Sequence, residues 1–112
     1  MTSQSDISDL LLNGETLTVE FKSDRKCLAD RDLIAAVVAL ANTEGGDLLL
    51  GVEDDGTVTG LHGNHRDITG MAAFIANRTN PALTVSVALS GVGCQAIARI
   101  RVPKSRQLVA TS

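Results

Sequence analysis

The stretch that decides the fold is Leu40–Gly60, which reads LANTEGGDLLLGVEDDGTVTG. Its three consecutive leucines predict a central strand over Asp47–Glu53, because such a run needs cover on both faces of a sheet. Before the strand, Asn42–Gly46 contains the residue types that tolerate left-handed backbone, so we expect a tight turn out of a helix. After the strand, Asp54–Gly56 is typical of a hairpin turn.

Helical and strand patterns alternate on either side of this stretch. Apolar spacing predicts three helices, at Asp6–Leu12, at Leu33–Ala41 with Asp30 as N-cap, and at Ile68–Ala76 with Asp67 as cap. Alternation predicts strands at Leu17–Lys22, Leu83–Leu89 and Cys94–Val102, besides Asp47–Glu53 and a short return strand at Thr57–Thr59. The predicted fold class is α+β, with a mixed or antiparallel sheet of about five strands and two to three helices packed on it.

The chain has 112 residues, of which 44% are hydrophobic, so it can form one domain with a real core. The core pattern ends near Pro103. We therefore predict a domain over residues 1–103 and a tail over 104–112, where a longer protein would continue. The amino terminus is polar and no apolar run reaches the roughly 20 residues that span a bilayer, which predicts a cytoplasmic chain without a membrane partner.

Cysteine and histidine spacing predicts no metal site. Cys27 and Cys94 are far apart and belong to no CxxC pair, so we expect two buried, reduced thiols. His62 and His65 have no third ligand close by in sequence, which favours a plain surface loop. No bound metal or other cofactor is predicted.

The glycine pair Gly45 and Gly46 does not predict a nucleotide site. A phosphate-binding loop runs from a strand through glycines into a helix N-terminus, whereas this pair leaves a helix and enters a strand. The chain also has no Gly-Lys-Ser/Thr motif. We expect no bound nucleotide.

The stretch Leu40–Gly60, with GETLTVEFK at Gly14–Lys22 ahead of it, resembles the Schlafen AlbA-type domain. The resemblance runs from about Leu10 to Val102. It implies a DNA-binding module of the kind found at the amino terminus of bacterial transcriptional regulators. In animal Schlafen proteins a similar domain carries an RNA-cleaving site built on carboxylates.

Two basic stretches are candidates for contact with the backbone of DNA, or of RNA. They contain Lys22, Arg25, Lys26 and Arg31 beside the first strand, and Arg99, Arg101, Lys104 and Arg106 on the last strand and tail. Arg99 and Arg101 are two residues apart and should share a face. The net charge of −3 argues against strong nucleic-acid binding, and a solvated face would also explain these residues. The resemblance favours a non-catalytic DNA-binding domain.

A metal-dependent nuclease is the alternative that the resemblance implies, with Glu15, Glu20 and either Glu53 or Asp54 holding Mg²⁺ or Mn²⁺. On one continuous strand, Glu15 and Glu20 would point to opposite faces about 16 Å apart. They can share an ion only if the chain bends near Thr16. Asp54 is also explained as a turn residue.

A second alternative is an oligomerisation or protein-interaction module. The acidic pI of about 5.2 and the edge strand predicted near Thr57 favour it.

Overall fold

A computed structural model describes residues 6–112. Three α-helices occur in this range: α1 (Ile7–Asn13), α2 (Asp30–Ala41) and α3 (Met71–Asn77), with a 3-10 turn at Gly63–His65. The strands are β1 (Val19–Lys22), β2 (Gly46–Leu50), β3 (Thr79–Asn80), β4 (Ser86–Val92), β5 (Gln95–Val102) and β6 (Ala110–Thr111). The predicted α+β class is confirmed.

The main sheet has the order β1-β2-β5-β4, and a small second sheet pairs β3 with β6. β1 runs parallel to β2, whereas β5 is antiparallel to both β2 and β4. The prediction of a central, doubly covered strand is confirmed, since β2 has a neighbour on each side. Its three leucines have no solvent exposure.

The two faces of β2 belong to two parts of the core. Leu48 packs with residues of α2 and α3, among them Val37 and Ile75. Leu49 packs on the opposite face with Phe21 of β1 and with α1. Helices α2 and α3 therefore cover one face of the sheet, and α1 covers part of the other.

Helix α2 is buried on one side, although its sequence is apolar without interruption from Leu33 to Ala41. Leu33, Ile34 and Val37 face the core, whereas Ala35 and Ala39 are exposed. Alanine has a high helix propensity and little apolar surface, so it suits the exposed side. The predicted N-cap is also displaced, because Asp30 is the first helical residue and Ala29 precedes it.

The predicted turn between α2 and β2 is confirmed. Gly45 and Gly46 have φ angles of 72° and 142°, in the region that favours glycine. A Cβ atom on Gly46 would overlap the backbone of Thr18, so the close approach of β1 also requires glycine here. The Thr43 hydroxyl donates to the carbonyl of Ala39 at 3.1 Å and closes the helix.

The predicted start of the third helix was wrong. Helix α3 begins after Gly70, and Asp67 instead accepts the backbone N–H of Thr69 at 2.9 Å. The helix ends at Asn77, one residue beyond the predicted end at Ala76. A side chain that closes its own short turn cannot also cap a helix that starts four residues later.

The predicted return strand at Thr57–Thr59 is reduced to a single bridge between Val52 and Val58. The tight turn before it is confirmed, because the N–H of Gly56 donates to the carbonyl of Glu53 at 2.8 Å. The edges of the main sheet are instead β1 and β4. The edge strand that favoured oligomerisation is therefore not near Thr57.

The segment after Pro103 packs against the domain, although its sequence has no core pattern. Val109 is buried, and β6 pairs with β3. The Asn42 side chain donates to the carbonyl of Val109 at 2.9 Å and accepts its N–H at 2.8 Å. The Asn42 side chain therefore fastens this segment to the end of α2.

Candidate nucleic-acid interface

The first basic stretch lies where β1 ends and α2 begins, and we call residues 22–31 the basic segment. Lys22, at the end of β1, forms an ion pair with Glu20 at 3.4 Å. Arg25, Lys26 and Arg31 are exposed and form no ion pair with any residue in the range 6–112. Three cations are thus presented to solvent on one short segment.

A groove of about 730 Å³ runs along this segment. Arg25 and Lys26 line it together with Cys27, and Asp32 and Glu53 contribute negative charge. The groove therefore has mixed charge, and its cations are on the basic segment.

Asp24 anchors the basic segment from inside the protein. Its carboxylate has no solvent exposure and accepts the backbone N–H groups of Leu28 and His62, each at 2.8 Å. Nδ1 of His65 lies 2.8 Å from both carboxylate oxygens. Sequence reasoning missed this residue, because Asp24 stands among charged neighbours and nothing local indicates that it is buried.

Three of the four cations of the second basic stretch lie beside carboxylates, whereas Arg106 is exposed and forms no ion pair with any residue in the range 6–112. Asp47 lies 2.8 Å from Nε of Arg99 and 3.7 Å from Nε of Arg101, so the prediction that these arginines share a face is confirmed. Lys104 lies 3.5 Å from Glu44. A phosphate would have to compete with these acids for the same guanidinium and ammonium groups.

The bend required near Thr16 is present. Thr16 and Val19 exchange backbone hydrogen bonds of 3.0 and 3.3 Å, so the chain reverses before β1. As a result, the carboxylate of Glu15 folds back and accepts the N–H of Phe21 at 2.9 Å. Glu15 therefore reaches the backbone beside Glu20, and the separation expected for a straight strand does not apply.

The other two predicted acids lie at the hairpin after β2. Glu53 accepts the Thr59 hydroxyl at 2.6 Å, and hydrogen bonds from Thr59 and Ser23 lower its pKa, with a smaller effect from the charge of Arg25. Asp54 is exposed in the turn. Within residues 6–112, the group of three acid, His or Cys side chains close enough to share an ion is Asp24, Cys27 and His65. The fold thus does not gather the four predicted acids at one point.

Both cysteines and His65 differ from their predicted surroundings. Cys94 is exposed and Cys27 is half-buried, whereas both were expected to be buried. His65 is not a plain surface residue, because it is paired with Asp24 and its Nε2 atom lies 3.8 Å from Sγ of Cys27. Cys27 and His65 are 38 residues apart in sequence, so no spacing rule could have joined them.

A family comparison agrees with this fold. The family model described as "Schlafen, AlbA_2" matches residues 15–112. The chain belongs to the Schlafen AlbA_2 family. The match includes Glu15 and Glu20, both basic stretches and the segment through β6.

Solved structures show where else this Schlafen AlbA_2 fold occurs. One is the N-terminal domain of a protein named as related to the ATP-dependent DNA helicase RecG, from Nitrosomonas europaea, with a TM-score of 0.73 and 24% identity. That match covers 97% of this chain and 82% of the other. The DIP2311 protein from Corynebacterium diphtheriae has a TM-score of 0.73 and 22% identity over 94% of this chain. This chain spans only 22% of that protein's length. At these identities the likeness establishes the fold alone.

No helix within residues 6–112 is long and apolar enough to cross a lipid bilayer.

Proposed function

We propose that this Schlafen AlbA_2 domain is a non-catalytic DNA-binding module that contacts the phosphate backbone through the basic segment, residues 22–31. The observation that carries the proposal is the set of exposed, unpaired cations Arg25, Lys26 and Arg31. The buried carboxylate of Asp24 holds this segment in place, so less conformational entropy is lost on binding.

One structural neighbour also supports a role in DNA metabolism, because the Nitrosomonas europaea domain belongs to a protein named as related to a DNA helicase. The resemblance to the Schlafen AlbA-type domain implies a module of bacterial transcriptional regulators. We infer a cytoplasmic regulator in which this domain supplies affinity for DNA. Contacts to phosphates position a protein without reading bases, so sequence specificity would come from other parts of that protein.

The test is fluorescence anisotropy with a labelled DNA duplex over a range of salt concentrations. The triple variant Arg25→Gln, Lys26→Gln, Arg31→Gln should bind more weakly and should reduce the salt slope by up to about 3, since each lost phosphate contact removes about 0.9. The matched control is Arg101→Gln with Lys104→Gln, whose cations already face carboxylates. We expect this control to change affinity little.

Two outcomes would count against the proposal. One is a parent chain that does not bind duplex even at low salt. The other is a control variant that loses as much affinity as the triple variant, since the contact would then lie on β5 and the segment after it.

A second candidate function is a metal-dependent ribonuclease that uses Glu15, Glu20 and either Glu53 or Asp54. The bend at Thr16, which brings the Glu15 carboxylate back to β1, favours it, but the acids would have to move closer together to share an ion. Incubation with structured RNA and Mn²⁺ tests this candidate, and cleavage should be lost in Glu20→Gln but retained in Glu44→Gln. If neither the parent nor the control cleaves RNA, the ribonuclease candidate is wrong.

A further inference from the structure

Asp24, Cys27 and His65 bring a carboxylate, a thiol and an imidazole together beside the groove. Sγ of Cys27 lies 4.0 Å from Nδ1 and 3.8 Å from Nε2 of His65. Nδ1 lies 2.8 Å from each oxygen of Asp24. One ligand atom from each residue falls within 4.8 Å of the others, and these residue types are the ones that hold transition metals.

The Asp24 carboxylate is already oriented as a metal ligand would be. It is completely buried, and the N–H groups of Leu28 and His62 each donate to one of its two oxygens. Such outer hydrogen bonds orient ligating carboxylates in metalloproteins. A buried carboxylate needs polar partners, and a divalent ion among these three groups would be a further one.

The backbone of Cys27 adds an independent observation. Its φ angle of 59° is the one positive value among the non-glycine residues of the described chain. A side chain rarely adopts this conformation, and residues held in it are concentrated at functional sites. The turn that imposes it is closed by the N–H of Cys27, which donates to the carbonyl of Asp24 at 3.1 Å. The same turn therefore positions both Asp24 and Cys27, two of the three candidate ligands.

The distances among the three groups are compatible with a shared metal ion. Sγ is almost equally far from the two ring nitrogens, at 4.0 and 3.8 Å, and neither contact is short. Around a tetrahedral zinc ion, sulfur and nitrogen ligands lie about 3.6 Å apart, and nitrogen and oxygen ligands about 3.3 Å apart. The observed separations of 4.0 and 2.8 Å reach those values by side-chain movements of about 0.5 Å.

We propose that Asp24, Cys27 and His65 form a zinc site, with a carboxylate oxygen, Sγ and Nδ1 as ligands and water in the fourth position. A mixed thiolate, imidazole and carboxylate set favours Zn²⁺ over Mg²⁺ or Ca²⁺. The ion would link the basic segment to the 3-10 turn at Gly63–His65. This proposal concerns metal binding alone and does not depend on whether the domain binds DNA.

The experiment is a titration of the full chain, kept reduced, with Co²⁺ as a spectroscopic substitute, followed by competition with Zn²⁺. We expect a cobalt–thiolate charge-transfer band that saturates at one ion per chain and disappears when Zn²⁺ is added. Cys27→Ser should weaken binding by more than about 100-fold, because loss of an outer-shell partner alone costs 10- to 100-fold. His65→Gln should have a similar effect.

The chain offers a matched control for the Cys27 variant and another for the His65 variant. Cys94→Ser removes the exposed thiol, and His62→Gln removes the neighbouring imidazole, while neither removes a proposed ligand. Both controls should keep the band. Zn²⁺ should also raise the thermal midpoint of the parent and of Cys94→Ser, but not that of Cys27→Ser. Circular dichroism shows whether each variant is folded. If Cys27→Ser does not fold, the cobalt spectra of the parent and of His65→Gln decide whether the metal site exists.

The proposal is overturned if the parent shows no cobalt–thiolate band, or if the band survives in both Cys27→Ser and His65→Gln. Loss of the band in Cys94→Ser would also overturn it. Rapid alkylation of Cys27 that depends on His65, in a chain that binds no metal, would instead make the group a reactive thiol.

Discussion

Two carboxylates near the basic segment are held by hydrogen bonds in very different surroundings. Asp24 has no solvent exposure and is satisfied by Leu28, His62 and His65. Glu53 is half-buried and accepts the hydroxyl of Thr59. A hydrogen bond to the charged form favours ionisation, which is why the pKa of Glu53 is lowered.

At the residue scale, Thr59→Val should raise the pKa of Glu53 toward its ordinary value of 4.5. Because the folded-state pKa is lowered, this interaction stabilises the fold above the ordinary pKa, and the stabilisation is lost as pH falls through the folded-state pKa. The variant should therefore show a weaker decrease of stability over that acidic range. Carboxyl NMR titration gives the pKa, and denaturant unfolding at several pH values gives the stability.

Thr57→Val is the matched control for this titration. The Thr57 side chain and backbone N–H lower the pKa of Asp55 in the same hairpin. This variant should therefore shift Asp55 and leave Glu53 nearly unchanged. An unaltered Glu53 titration in Thr59→Val would show that the hydroxyl is not the cause.

Among the elements, β2 has the largest part in the fold. It lies between a parallel and an antiparallel neighbour, and consecutive leucines send side chains to opposite core clusters. Its two ends lie near the two basic stretches. Asp47 near its start binds Arg99, and Glu53 beyond its end borders the groove.

At the element scale, Leu49→Ala should destabilise the domain by about 2–5 kcal/mol, since it leaves a cavity in a fully buried site. Leu12→Ala on α1 is the control, because that side chain is 84% exposed and a change there should stay within about 0.5 kcal/mol. Guanidinium unfolding of both variants measures the difference. Equal effects would contradict the placement of Leu49 between β1, β5 and α1.

At the scale of the whole molecule, the chain returns to its own core after β5. Val109 joins the cluster formed by α2 and α3, and β6 pairs with β3. Asn42 makes the side-chain contact that holds this return, through both backbone groups of Val109. Residues 104–112 therefore contact the same core as the rest of the domain.

We predict that Asn42→Ala loosens this segment. Two hydrogen bonds are lost, which should cost about 1–3 kcal/mol, and the amide of Val109 should exchange with solvent faster than in the parent. Asn77→Ala at the end of α3 is the control, because its side chain has no hydrogen-bond partner among residues 6–112. Unchanged exchange at Val109 in Asn42→Ala would refute the role assigned to Asn42.

Some features of the candidate interface could be predicted from the sequence and others could not. The basic residues were identified from sequence, because charge is visible there. The sequence did not show which of these cations is free to contact a phosphate. Arg99, for example, is paired with Asp47, which is 52 residues away in the sequence. Pairing across a sheet depends on strand order and register, and nearby sequence indicates neither.

The sequence by itself determined the central strand, the glycine turn before it, the hairpin after it and the family. These features follow from periodicity and backbone preferences that operate over a few residues. Only the tertiary structure decided the burial of Asp24, its meeting with Cys27 and His65, the return of Glu15 to β1 and the packing of Val109. Each of these joins groups whose proximity depends on how the chain folds back on itself.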